Sequence, residues 1–440
     1  MIADQVAPTT GQPAVGRGSE QASVAPYSWY VLVTLTLVFL LASVDRSLMS
    51  VVVEPIRREF DLTDSQMGFV AGLAFGIPFA IASLPFGLLI DRINRRNFLA
   101  AAMALWSLLT AVCGFAQSFV HLALARMVVG VAESGFPAAQ SMITDYFTVK
   151  RRPMALGIFF SGGSIAFVLT FALGGFVAQE WGWRAVFWMA GPPGILLSLI
   201  LFLTVREPKR GGDGGSEAPK EAPPPLLATL RYLFSLRAFL HLFIGYAIVA
   251  ATNASFWTWI GSLLIRVHGL TMRDAGMFIA VGAGMCGFLG AIMGAAFTGR
   301  IGAGGMKPVL AFIAVAAAAL APLGVAMSFA PSLMTVLIFM VLVSIVKSSY
   351  AGPAQGIILS LAKARMRGVA ASLLNIAGTL LGFGVGPFIS GTISHLLGGG
   401  NAIRYGLACL FLMNIWAALH FWAARKTVEA DMDREVMRAA

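Results

Sequence analysis

Two acids and three bases stand in stretches of this chain that otherwise carry no charge. Asp45 and Arg46 are neighbours in "LLASVDRSLMSVVV" (40–53), Arg126 and Glu133 lie in "RMVVGVAESG" (126–135), and Lys347 interrupts another apolar run. An ionisable group in hydrocarbon costs at least about 2.5–3.5 kcal/mol, so each should face a cavity or a counter-charge. Carboxyl groups withdrawn from water hold protons more readily. The chemistry these residue types offer is proton uptake and anion binding. Nothing in the sequence groups a serine, a histidine and an acid, or spaces histidines and cysteines as metal ligands. Cys113, Cys286 and Cys409 fall in apolar runs as packing residues, and the five histidines are scattered. We therefore expect no enzyme, no metal and no cofactor.

The elements that must position these charges are membrane spans. Of 440 residues 58% are hydrophobic and 12% charged, against about half and a quarter in soluble domains. A bilayer-crossing helix needs about 20 mainly apolar residues. Twelve stretches qualify: 29–53, 67–90, 98–117, 119–146, 154–179, 185–205, 236–265, 273–298, 308–329, 332–361, 369–397 and 403–424. The fold class expected is an all-α polytopic membrane protein of two six-helix bundles. Residues 1–27 read as a disordered tail, 28–205 as the first bundle, 206–235 as a Gly/Pro/charge-rich linker, 236–424 as the second bundle and 425–440 as a tail. The net charge of +11 is explained by the excess of Lys and Arg on cytoplasmic loops, without nucleic acid. With both termini cytoplasmic, 22 of the 31 Lys and Arg fall on that side and six outside: Arg57, Arg58, Arg184, Arg266, Arg273 and Arg404. A multi-pass, monomeric protein of the inner (plasma) membrane is expected.

The first span rises from the cytoplasmic side and the fourth descends, which brings Asp45 and Arg126 to similar depth at about 1.5 Å per residue. Glu133 follows Arg126 by two turns on the same face. The two acids and two bases should neutralise one another in a shared cavity. The halves also echo each other. "FDLTDSQMGFVAGL" (60–73) resembles "HGLTMRDAGMFIAVG" (268–282) at an offset of 208, and "GFPAAQ" (135–140) resembles "AGPAQG" (351–356) at about 216. Such a duplication predicts a transporter with its site between the repeats near the midplane. The offsets carry Asp45 to Asn253, close to Trp257 and Trp259, and Glu133 to Ser349, beside Tyr350. One wall should be charged and the other polar and aromatic, with Asn253, Trp257, Lys347 and Tyr350 lining it. That suits an amphipathic anion.

"GLLIDRINRRNFL" (87–99) resembles the signature loop of the major facilitator superfamily, with Gly87, Asp91, Arg92, Arg95 and Arg96 at the patterned positions. The resemblance implies a cytoplasmic gate. Gly87 allows close helix contact, Asp91 meets the positive start of the eleventh helix near Gly368, and Arg95 pairs with Asp145. These contacts should hold the inner side shut and break during alternating access. "GAAFTGRIGAGG" (294–305) has Thr298 at the aspartate position, so the second copy is degenerate. "RMVVGVAESG" and "WGWRAVFWMAG" (181–191) are similar to further motifs of the superfamily. Within it, "SVDRSLMSVVVEPIRREFDLTDSQMG" (43–68) together with Glu133 resembles the spinster branch, which implies proton-coupled movement of lysolipids or sphingoid phosphates. The alternatives are a proton-coupled carrier of small organic anions or sugar acids, and a multidrug exporter. The lack of proline between 154 and 179 counts against the exporter. "GAGMCG" (282–287) lies within a span and is no nucleotide loop.

Overall fold

The computed structural model describes residues 26–90, 92–148, 151–208, 225–363 and 366–436. Among the described residues, twelve helices are long and apolar enough to cross a membrane. They are α1 (Pro26–Glu59), α2 (64–90), α3 (Arg95–Cys113), α4 (Phe119–Tyr146), α5 (Arg152–Trp181), α6 (Trp183–Thr204), α7 (Arg237–His268), α8 (Met272–Gly304), α9 (Met306–Ser328), α10 (Leu333–Ser360), α11 (Arg367–Leu396) and α12 (Gly400–Ala424). Helices satisfy their own backbone groups, which lipid cannot do. Their outward stripes are apolar: Leu196, Leu199 and Leu203 of α6 are more than half exposed. A surface of this kind requires lipid around it.

Several boundaries differ from those read in the sequence. Helix α1 continues through Pro55 to Glu59, so Arg57 and Arg58 are helical and not loop residues. Likewise Arg266 belongs to α7. Part of the predicted linker, Leu226–Ser235, is helical, as is Val428–Val436 beyond α12. That last helix is tied back by the Ala238 N–H, which donates to Asp431 Oδ2 at 2.9 Å. Span four is broken: residues 134–136 form a turn between Phe119–Glu133 and Pro137–Tyr146. Pro137 lacks the N–H that the carbonyl of Glu133 would accept, which ends the first segment at Glu133.

The duplication is visible in the caps. Thr63 and Thr271, 208 apart, accept from the backbone N–H three residues on and start α2 and α8. Ser118 and Ser332 do the same for α4 and α10. It is visible again where the halves cross, at the end of the bundle opposite the linker, called here the far end. Gly68 of α2 lies against Pro387 O of α11, and its repeat mate Gly276 of α8 lies against Phe171 O of α5. Gly391 meets Asp64 O, and Gly175 meets Met272 O, in the same pairing of repeats. Only residues without a Cβ let backbones approach this closely. Three π-helical segments lie in these crossing helices: Phe69–Leu73, Ile279–Met285 and Ala377–Val385. Such segments recur at functional sites.

Because Ser65 Oγ and Thr392 Oγ1 sit 3.0 Å apart across this crossing, cysteines at those two positions should crosslink readily. Adding Gly68→Val or Gly276→Val should slow that crosslinking several-fold, as a wedge at either crossing parts the far end. An unchanged rate would show that the glycines do not set the contact.

Candidate transport site

The four charges of α1 and α4 meet in one cluster. Arg46 Nε lies 2.6 Å from Glu133 Oε2, and Arg126 NH1 lies 3.6 Å from Asp45 Oδ1. Thr110 Oγ1 of α3 donates to Asp45 Oδ1 at 2.7 Å. Phe75 of α2 takes the guanidinium of Arg126 over its ring at 5.1 Å, and Phe79 that of Arg46 at 5.4 Å. Neither Thr110 nor the two phenylalanines stands out in sequence, being ordinary span residues until α2 and α3 fold onto α1.

Hydrogen bonding in the cluster is incomplete. Asp45 Oδ2, Glu133 Oε1, Arg46 NH2, and Arg126 Nε and NH1 have no hydrogen-bond partner, although a buried unsatisfied group costs about 1–3 kcal/mol. Asp45 Oδ2 and Glu133 Oε1 are acceptors without a donor, and a proton taken by either carboxyl group would turn it into a donor. Burial grades across the set. Glu133 is 0% and Arg126 1% exposed, whereas the Arg46 side chain is 19% exposed and faces a cavity.

That cavity, about 340 Å³, is lined by Arg46 of the first half and by residues of the second, among them Asn253 and Trp257 of α7 and Lys347 and Tyr350 of α10. Lys347 Nζ donates to Asn253 Oδ1 at 2.7 Å and sits over Trp257 and Phe256, 4.0 and 4.6 Å from the ring centroids. Trp257 in turn stacks on Phe167 of α5 at 4.6 Å, across the halves. The lining continues toward the linker end through Tyr246, Gln355 and Leu374. A second, apolar groove of about 520 Å³ shares Ser348 with the cavity and runs between α8 and α10 along Ala291, Ala295, Gly352 and Gly356.

At the linker end, Arg95 holds Asp145 (2.6 Å), Glu207 (2.8 Å) and Ser141 (2.8 Å). Arg96 donates to Phe202 O, and Arg92 is exposed. Asp91 lies outside the described residues. Gly87 and Gly368 make no close helix contact in this state, since nothing lies within 4 Å of where the Cβ of either would be. The expected Arg95–Asp145 pair is present, and both of its residues belong to the first half. Thr298 is buried and donates to Gly294 O of its own helix.

Between described residues, every hydrogen bond joining the halves lies at the far end. The strongest set is ionic. Arg266 reaches Glu54 at 2.7 Å and both oxygens of Asp64 at 2.8 Å, and Ser394 donates to Asp64. All three charged side chains are under 5% exposed. The sequence places Arg266 in a loop and leaves Glu54 and Asp64 unremarked. The available signal was that both acids fall in segment 43–68. Removing one member of a buried pair costs about 3–5 kcal/mol. Arg266→Gln should therefore lower the melting temperature and raise the reactivity of a cysteine at Ser394 toward a water-soluble maleimide. A variant as stable and as unreactive as its parent would deny the network this role.

The Major Facilitator Superfamily model matches residues 35–387. An efflux pump of that superfamily from Mycolicibacterium smegmatis is 26% identical over 93% of this chain and 95% of its own. A D-galactonate transporter of Escherichia coli is 26% identical over 86% and 91%. The structure is similar to that of a bacterial homolog of the human lysosomal transporter Spinster in an inward-facing, unoccupied conformation. It has a TM-score of 0.81 and 26% identity, and covers 93% of this chain and 99% of that one. With twelve spans, a duplicated bundle and a charged cavity between the halves, this chain belongs to the Major Facilitator Superfamily and is a multi-pass membrane transporter.

Proposed function

We propose that the chain is a proton-coupled secondary transporter of an organic anion. Asp45 and Glu133 carry the proton, and Arg46 is shared between Glu133 and the solute. The observation that carries this reading is the position of Arg46, which pairs with a wholly buried carboxylate at 2.6 Å and also faces the cavity. A proton taken by Glu133 removes the charge that holds Arg46. The freed guanidinium then receives the anion, and loss of the proton returns Arg46 to Glu133 and expels the solute. Driving energy is adequate: about 1.4 kcal/mol per pH unit and about 2.3 kcal/mol per charge per 100 mV.

The excess of Lys and Arg puts the linker end in the cytoplasm, together with both termini. The present state is then inward-open, latched outside by Arg266, Glu54 and Asp64. In the opposite state Gly87 and Asp91 close against α11 near Gly368, while Arg95–Asp145 and Arg96 keep the inner end of the first half rigid.

For the solute, an amphipathic anion such as a lysolipid or a sphingoid phosphate is favoured by the aromatic wall of Trp257, Tyr350 and Phe421. The apolar groove that shares Ser348 in its lining, about 520 Å³, has room for a tail. A sugar acid is the second reading, supported by the modest cavity volume and by the D-galactonate relative.

The test uses purified protein in liposomes with a trapped pH dye, challenged with lysophospholipids, sphingoid phosphates and sugar acids. We expect a lysolipid or sphingoid phosphate to move protons with the wild type and not with Glu133→Gln. Proton movement by sugar acids alone would replace the solute assignment. A Glu133→Gln variant that couples normally would overturn the proton role of Glu133.

A further inference from the structure

The two halves match in register at a position where they differ in charge. The offset of 216 carries Glu133 to Ser349, but the capping serines Ser118 and Ser332 are 214 apart, and counted from them Glu133 in α4 and Lys347 in α10 occupy the same place, fifteen residues on. Their partners match as well. Asp45 and Asn253 are the repeat mates of α1 and α7. Glu133 is held by Arg46, the neighbour of Asp45 in α1, and Lys347 donates to Asn253. The duplicated position therefore holds an acid paired with a base in one half, and a base beside a neutral amide in the other.

Lys347 is 8% exposed, and among the described residues no carboxylate meets it. Its ammonium has three donors, yet one amide oxygen and two ring faces are what the protein supplies. Neither a ring face nor an amide oxygen carries the negative charge that would neutralise it, as the carboxylates do for Arg46 and Arg126. Lys347 also lines the cavity, and so does Arg46.

We infer that Lys347 is the receptor for the anionic group of the transported solute, a carboxylate or a phosphate, and that Asn253 fixes its ammonium in place. The anion fills the position that the Glu133 carboxylate fills in the other half. This rests on the transporter reading above and adds where the charged group sits. Bound between Lys347 and Arg46, the anion draws Arg46 from Glu133, which favours proton uptake by that carboxyl group. Asn253 is a positioning residue, since its oxygen is spent on the lysine.

Pyridoxal phosphate, itself an anion that reacts with amines, probes the site whatever solute it carries. Full-length protein in detergent is treated, reduced with borohydride and mapped by peptide mass spectrometry. Lys347 should be modified, and oleoyl lysophosphatidate or D-galactonate should slow its modification while glycerol monooleate and galactose do not. A charge-assisted contact of about 1.5–3 kcal/mol corresponds to roughly tenfold or more in affinity. Lys347→Met should raise the KM of the anion that moves protons in liposomes by about that factor, with kcat less affected. Lys347→Arg should largely restore it, and melting curves should show both variants folded. Lys347 left unmodified, or modified at one rate whatever anion is present, or Lys347→Met with an unchanged KM, would overturn the inference. The behaviour of Glu133→Gln bears on coupling alone, so failure there is distinguishable from failure here.

Discussion

Glu133 sits wholly buried in a bilayer-spanning bundle with Arg46 Nε at 2.6 Å, and much of the architecture follows from that pair. A carboxylate at this depth needs a cation, so α1 must lie against α4 and stay in register with it. Arg46 is the partly exposed member of the set and stands at the edge of the cavity. Arg126 and Asp45 complete the charge balance behind it, with Thr110 and Phe75 as the walls. The turn at 134–136 ends the first segment of α4 at Glu133 itself, so the acid stands at the broken end of a helix near the midplane, as in other discontinuous transporter helices.

The repeat supplies a frame in which asymmetry becomes informative. Glycines 68 and 276 make equivalent crossings, and residues 171 and 387 receive them. Within this matched scaffold the ion network at the far end is one-sided. Asp64 binds Arg266 and Ser394, while its repeat mate is Met272, whose N–H donates to Gln179 Oε1 at 3.2 Å. The buried charges are divided in the same manner, with Asp45 and Glu133 in the first half and Lys347 in the second.

The sequence by itself determined the class of molecule, because membrane solvation is a property of composition. Twelve apolar runs, basic loops on one side and a duplicated pattern follow from what lipid and water each tolerate. It also singled out Asp45, Arg46, Arg126, Glu133 and Lys347, since a charge in a span is costly wherever it points. The tertiary structure decided which charge meets which. The Arg46–Glu133 pairing, the contribution of Thr110 from α3 and the Lys347–Asn253 contact depend on helix rotation and depth, which periodicity leaves open. Only the fold turned Arg266 from a loop charge into the centre of a buried network with Glu54 and Asp64, because those residues lie some 200 positions apart in sequence and meet where α1, α2 and α7 converge. The open linker end was likewise beyond the sequence. Gly87 and Gly368 permit a close approach that this state does not make, since one chain must support both the open and the closed arrangement, and residue types cannot say which one is populated.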